Sequence, residues 1–318
     1  VQKGLGPLGV EMVLGEALFD DLDIVDYLEL FGSTTKVADL LGLSQSSCSR
    51  RYRAFGEVLG IDFDRVDGSY IAQSNHDVLL TLRTAAQKIR TRRRQFRIVL
   101  NWLFSLPSLP SGWRLLPLSS MNAGHALSLL DGRLLDLWVG GLFEYQSLIE
   151  EPLHRLGPGR IAIGQTLQCV PLFRSPLHVV AHRDHPLFAR SSLSADDLAC
   201  YPSPSLPLGA APMLTNALQA HGLASTPYGG SNYDVNRWEG ASRDGNTLSY
   251  GPAHRLAELE QRWQLLPLPY ELDLTEVIAV IGHREVVGDP CFAFAFQQLS
   301  ELLRASPLGH CRETEWVH

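Results

Sequence analysis

Between Val37 and Leu59 the chain carries two amphipathic stripes on either side of one glycine, and this stretch limits the fold more than any other. Val37, Leu40 and Leu41 form the first stripe. Cys48, Tyr52, Phe55 and Leu59, spaced by 4, 3 and 4, form the second. Gly42 permits a sharp turn between them. Ser33 or Thr34 can cap the helix before it, and Ser44 the helix after it. Upstream, Ile24, Tyr27, Leu28 and Phe31 make another helical stripe. Asp20 and Asp21 stand where an N-cap and a first-turn carboxylate belong, and Gly32 serves as the stop. Short helices around one core, the last two joined by a tight turn, predict a helix-turn-helix.

The outer face of the last helix carries Ser46, Arg50 and Arg53, with Ser49 at the margin. Small hydroxyls let a backbone approach a base-pair edge, and a guanidinium grips guanine or phosphate through two hydrogen bonds. A packed helical hairpin with a charged outer face would look similar. Charge distribution favours the first reading. The chain has a net charge of −7, yet residues 36–97 hold 12 Lys and Arg against 6 Asp and Glu. A basic segment on an acidic chain points to a polyanion for that segment alone. Phe63 and Val66, then Asp67-Gly68, then Tyr70 and Ile71 read as a two-stranded wing with a tight hairpin turn. Arg65 and Ser69 near its tip could reach DNA, or Arg65 could be a plain surface charge.

The run "GSTTKVADLLGLSQSSCSRRYRAFGEVLGIDFDR" resembles the DNA-binding domain of LysR-type transcriptional regulators. Gly32, Ser33, Thr35, Ala38, Leu41, Ser44, Gln45, Ser49, Arg50 and Leu59-Gly60 match that family's pattern. Thr34 replaces its usual Phe, Ser46 its Pro and Gly56 its Leu. The last is expected to weaken the end of the helix through lost propensity. The resemblance implies that Gln45, Ser46, Ser47, Ser49, Arg50 and Arg53 face DNA beside the capping Ser44, with Thr35 and Lys36 at the backbone. It implies double-stranded DNA with an interrupted palindrome as partner.

Residues 75–98 contain neither proline nor internal glycine. Leu79, Leu82, Ala86, Ile89, Arg93 and Phe96 follow a heptad seam, with Arg93 at a core-type position. The resemblance implies a linker helix that pairs two chains. The dimerisation residues expected are Leu79, Leu82, Ala86, Ile89 and Phe96. One amphipathic helix packed on its own chain is the plainer alternative. "RTRRRQFR" either touches phosphate or simply ends the helix.

Beyond Arg97 the character changes. "FRIVL", "WRLLPL", "LLDLWVGG", "LQCVPLF" and "PLHVVAH" read as strands. Asn122 can cap a helix through Ala126 and Leu130. "ACYPSP", "NTLSYGP", "QLLPLPY" and "LTEVIAVIGH" read as further strands. "PMLTNALQAHG", "NYDVNRWEGASRDG" and "CFAFAFQQLSELLR" read as helices. Alternation of this kind predicts α/β lobes with mostly parallel sheets. "SLLDGRLLDLWVGG", "PLFRSPLHVVAHRDHPLFARSSLSADDLACYP" and "EGASRDGNTLSYGPAHRLAE" are similar to the LysR-type effector domain, and the likeness runs in one order from Asp20 to Arg304. An extra leucine at 134–135 and Thr247 in place of a glycine depart from it. The family's first effector-domain helix has little room in "NWLFSLPSLPSG".

The expected fold class is α/β: an N-terminal winged helix-turn-helix, a long linker helix and a two-lobed, periplasmic-binding-protein-like effector domain. The boundaries expected are 1–19 for a tag or disordered extension ("GLGPLGVE" reads as a vector remnant), 20–74 for the DNA-binding domain, 75–97 for the linker and 98–318 for the effector domain. Within the last, lobe I takes about 98–176 plus 268–318 and lobe II about 177–267. Ligands of such sheets sit beyond the strand ends, near helix N-termini that favour anions. The cleft candidates are Asn101, Ser119, Ser120, Ser203, Ser205, Asn232, Tyr233, Asn246 and Thr247. They suit a small polar or carboxylated metabolite.

Other signals are weaker. "GRIAIGQT" has Gln165 where a phosphate loop needs lysine. His178, His182 and His185 have metal-like spacing without a fourth ligand, so no metal or cofactor is expected. Cysteines 48, 169, 200, 291 and 311 suggest no disulfide framework, and Cys200 reads as a small buried residue. No apolar run reaches the roughly 18 residues of a membrane span. No nucleophile with a flanking base is evident. The function expected is a cytoplasmic bacterial transcription regulator that works as a homodimer or dimer of dimers, with RNA polymerase as a candidate partner. The competing readings are a solute-binding module with weak or lost DNA recognition, and an enzyme on a binding-protein fold.

Overall fold

The computed structural model describes residues 7–100, 109–116, 123–207, 209–227 and 238–318. It divides into two compact units, the first running to Arg90 and taking in Gly132–Leu134, the second comprising Thr91–Asp131 and Leu135–His318.

In the first unit, α1 (Pro7–Phe31), α2 (Thr34–Leu41) and α3 (Gln45–Leu59) precede a hairpin of β1 (Phe63–Val66) and β2 (Ser69–Ala72), and α4 (His76–Arg92) follows. The local signals for the inner helices act as read. Ser33 accepts a hydrogen bond from the Lys36 N–H, Ser44 from the Ser47 N–H, and Gly42 and Gly60 close α2 and α3 in the left-handed region. Asp67 and Gly68 both have positive φ, 50° and 89°, as a hairpin turn of the primed type requires. Leu22, Val25, Phe55, Ile61, Ala72, Leu79 and Ala86 form the core.

Four expectations change here. Helix α1 starts at Pro7, so Asp20 and Asp21 lie inside it and do not cap it. Leu18 and Phe19 pack against the core, so the folded unit begins before residue 20. On α2, Ala38 is buried beside Val37, and Leu40 is 39% exposed. Helix α4 ends at Arg92, short of the expected 97, because Arg94 takes a left-handed conformation (φ 57°) and Arg97 opens a strand.

The second unit begins with β3 (Arg97–Leu100), β4 (Arg114–Leu115), α5 (Ala123–Asp131), β5 (Leu137–Gly141) and β6 (Ile161–Ile163). It continues with β7 (Leu167–His182), α6 (Ala195–Ala199), α7 (Pro212–Gln219), β8 (Ser249–Pro252), α8 (Leu256–Trp263) and β9 (Leu265–Pro267). It closes with β10 (Thr275–His283), α9 (Arg284–Val287), α10 (Pro290–Ala305) and β11 (Glu315–Trp316). "LQCVPLF" and "PLHVVAH" are one strand, β7. Its first half pairs with β6, β10 and β11, and its second half with β8 and β9. Two cores result. Ile98, Val139, Phe173, Ile278 and Val280 lie under Phe292, Ala295, Leu299 and Leu303, whose spacing of 3, 4 and 4 puts them on one face of α10. Val179, Ala181, Leu198, Leu218, Trp238, Leu248 and Tyr250 fill the other lobe.

Among the described residues only β3–β4 and β3–β5 pair in parallel, so the sheets are not mostly parallel. The reason is that β7 and β10, the strands at the passage between lobes, run antiparallel to each other and to their other partners. Leu268 and Leu272 belong to the second core, so the chain returns to lobe I at β10 and not at 268. "ACYPSP" forms no strand and contributes one isolated bridge, Pro204 to Thr226. The helix expected over "NYDVNRWEGASRDG" is described only as a short 3-10 turn, Glu239–Asp244. Asn122 and most of "NWLFSLPSLPSG" lie outside the described residues.

Candidate nucleic-acid interface

The exposed side of α3 is built from its cap outward. Ser44 spends its hydroxyl on the Ser47 N–H at 3.1 Å and lies 3.1 Å from the Ser46 hydroxyl. Gln45 donates its amide to the Thr34 hydroxyl at 3.0 Å, tying the starts of α2 and α3 together. Beyond that, Ser46, Arg50 and Arg53 are exposed and Ser49 is half-buried; with Gln45, Ala54 and Glu57 they line one concavity. Thr35 and Lys36 are exposed at the first turn of α2. The opposite side of α3 is in the core. Cys48 and Phe55 are buried, and Tyr52 meets Phe63 and Tyr70 edge to face.

The three arginines of the "SRRYR" run part company. Arg51 donates to the Asp21 carboxylate on α1. Arg50 and Arg53 form no ion pair among the described residues. Asp21 therefore selects which guanidinium holds α3 to α1 and which two point outward. Arg65 is exposed and leans along the wing. It donates to the carbonyls of Gly68 and Gly32 at 3.4 and 3.3 Å and lies over the Tyr70 ring. That contact joins the wing to the turn after α1. The same approach explains Gly32, where a Cβ would lie 2.0 Å from the Gly68 oxygen.

The α4 seam shifts by one residue. Leu79 and Ala86 are buried and Leu82 half-buried in the core of their own unit, and Phe96 belongs to the core of the second unit. Arg83, on the Leu79 side of α4, decides the phase. Its Nε donates to Asp26 and an Nη to Glu29, each at 2.7 Å. Burial works against its charge, and the two carboxylates outweigh that, holding the guanidinium above its usual pKa. Ile89 stays exposed, and with Val78, Leu82 and Ala85 it forms an outward apolar stripe spaced 4, 3 and 4.

In the second unit the cleft candidates do not converge. Ser203 is buried and accepts the Ala224 N–H. Ser205 accepts the Trp238 indole N–H through its carbonyl. Asn246 and Thr247 donate their N–H groups to Asp244 at 2.9 and 2.8 Å, and the Thr247 hydroxyl does the same. Burial tends to raise the Asp244 carboxyl, and these donors override it and hold it below its ordinary value. Asn101, Ser119, Ser120, Asn232 and Tyr233 lie outside the described residues. A cavity of about 640 Å³ opens instead where the strands change lobes, lined among others by Phe143, His154, Arg174, Asp273 and Glu313. Sequence reading singled out none of them.

The weaker signals have structural uses. The "GRIAIGQT" stretch is a hairpin between β6 and β7. His178 meets Glu313 at 2.9 Å, and His185 accepts the Leu187 N–H. Among the described residues no cluster of His, Cys, Asp and Glu could hold a metal. Cys200 is exposed, contrary to expectation, because it falls just past the end of the short α6.

No protein-family model matches the chain, and no curated protein does. Solved structures do. Full-length OxyR from Pseudomonas aeruginosa superposes with a TM-score of 0.56 at 14% identity, covering 89% of this chain and 96% of its own. A probable transcriptional regulator from the same organism superposes with a TM-score of 0.54 at 17% identity, covering 88% and 95%. At such identities the likeness is one of fold, and the chain has the fold of full-length LysR-type transcriptional regulators.

Proposed function

We propose that this protein is a sequence-specific DNA-binding transcription regulator that acts as a homodimer on an interrupted palindrome. The observation that carries the reading is the outward ridge of Ser46, Ser49, Arg50 and Arg53. Its two guanidiniums have no carboxylate partner among the described residues, although the chain as a whole is acidic. Arginines without an ion pair on a capped helix suit phosphate and guanine. Thr35 and Lys36 would reach the backbone. Arg65, which fastens the wing and is exposed near its tip, would reach the DNA backbone or minor groove. The stripe of Val78, Leu82, Ala85 and Ile89 would join two copies, bringing two ridges to two half-sites.

The two-lobed body supports modulation by a small polar or carboxylated molecule. The chain is read as a regulator and not as an enzyme, in the bacterial cytoplasm, with RNA polymerase as a further partner. No helix among the described residues is long and apolar enough to cross a membrane. Retained Arg50 and Arg53 speak against a solute-binding module without DNA recognition. The test is selection of genomic fragments by the purified protein, followed by mobility shifts with Arg50→Ala. The reading expects enriched fragments sharing an inverted repeat, bound at least about tenfold more weakly by the variant. Retention of no fragment, or equal binding by the variant, would remove it.

A further inference from the structure

Lobe I carries a carboxylate that belongs, by its contacts, to lobe II. Strand β5 ends in Gly140-Gly141, and the chain then turns through Leu142 and Phe143. That turn is fixed to β10: the Leu142 N–H donates to the Val277 carbonyl at 2.8 Å, and the Phe143 N–H to Glu276 at 3.0 Å. Gly141 leaves room for this, since a Cβ there would lie 2.4 Å from the Glu276 carboxyl carbon. Glu144 therefore projects from a turn with little freedom.

Helix α7 in the other lobe starts without a cap of its own. Its N-cap residue is Ala211, which has no side-chain acceptor, and Pro212 follows. The N–H groups left over are those of Met213 and Leu214. Both go to Glu144, one to each carboxylate oxygen, at 3.0 and 2.8 Å. The first turn of a helix favours negative charge, and an acceptor of two N–H groups there is a strong one.

We propose that Glu144 is a clasp between the lobes: it supplies the missing cap of α7 from the other lobe and holds the two lobes together. A carboxylate in this place does two jobs at once. It satisfies α7 only while the lobes are together, so opening exchanges two charge-assisted hydrogen bonds for hydration. Closure is thereby an intrinsic state of this chain, and a molecule that regulates it acts against or alongside that contact. The inference stands on the two-lobed fold and is independent of what the first unit binds.

The experiment compares the full chain with Glu144→Gln and Glu144→Ala by residue-resolved amide exchange. It also measures the distance between spin labels placed at Ser128 and Gln219, after Cys200, Cys291 and Cys311 are replaced by serine. Glu144→Ala should speed exchange at Met213 and Leu214 by about tenfold, the worth of a lost cap, and lengthen the label distance. Glu144→Gln should fall between, because one amide oxygen remains as acceptor. Exchange in α10 should not change. Unchanged exchange at 213 and 214 overturns the proposal. So does faster exchange at an unchanged label distance, which would make Glu144 a cap that holds nothing shut. Should Glu144→Ala fail to fold, the same two readouts on Glu144→Gln decide.

Discussion

Gly56 stands so close to Ile61 that a Cβ on it would lie 2.7 Å from the Ile61 carbonyl oxygen, with the Phe63 ring at 3.4 Å. The last turn of α3 thus passes directly under the entry to the wing, and the Ile61 N–H returns a hydrogen bond to the Gly56 carbonyl at 2.9 Å. Glycine in a helix costs about 1 kcal/mol relative to alanine. That cost has a structural reason here, contrary to the sequence-based expectation that Gly56 merely weakens the helix.

Gly56→Ala therefore sets a propensity gain of about 1 kcal/mol against overpacking worth about 1–3 kcal/mol. Backbone lies on the receiving side, so the neighbour has little room to give. The expected result is net destabilisation of the first unit, seen as a lower urea midpoint. A midpoint raised by the substitution would mean that the wing can shift freely from α3.

Arg50 and Arg51 are adjacent in sequence and opposite in consequence. Arg50→Ala should leave the urea midpoint within about 0.5 kcal/mol of the parent, as for a surface change, and weaken DNA binding. It should also reduce the steepness with which binding falls as salt rises, because fewer counterions are released. Arg51→Ala should do the reverse. Its pair with Asp21 is partly solvated, with side chains 29% and 26% exposed, so the loss is about 0.5–1 kcal/mol of stability. Equal effects of the two variants on DNA binding would refute the division of labour.

The α4 stripe gives a similar contrast. Ile89→Asp changes an exposed position and should abolish the proposed pairing of two copies while each chain stays folded. Leu79→Asp places a charge at a site that is 2% exposed and should unfold the first unit instead. Sedimentation velocity separates the two outcomes. A folded dimer of the Ile89→Asp chain would assign pairing to another surface.

Where the sequence is locally explicit, the fold follows it. Ser33, Gly42, Ser44, Gly60 and Asp67-Gly68 cap or turn the first unit where their chemistry puts them, because each acts on backbone within a few residues. On α4 the expected seam and the outward stripe of the structure share Leu82 and Ile89 and differ by one residue elsewhere. The phase is set by Asp26 and Glu29, which hold Arg83 from more than fifty positions away. Ser203, Asn246 and Thr247 looked like ligand contacts because a residue that fastens a turn has the same composition as one that fastens a metabolite. Glu144 was invisible for the opposite reason: its partners lie 69 and 70 residues downstream, and nothing near it in sequence signals them.

Glu276, under the turn that carries Glu144, should give the body a distinctive response to pH. Burial pushes its carboxyl up to about 7 from an ordinary 4.5; the Phe143 N–H opposes this and the Glu144 carboxylate adds to it. Between those two values the folded chain holds a proton that the unfolded chain has released. Stability from this group is therefore present below pH 4.5 and declines as pH rises through 7, by an amount on the order of 3 kcal/mol. Depressed carboxyls such as Asp244 act with the opposite sign and at lower pH, so the two contributions separate along the axis. Glu276→Gln keeps an acceptor for the Phe143 N–H and removes the titration. Its urea midpoint should match the parent near pH 4.5 and exceed it near pH 8. Parallel midpoint curves for the two chains across that range would show that Glu276 stays ionised in the folded state, and that the turn beneath Glu144 rests on a charge.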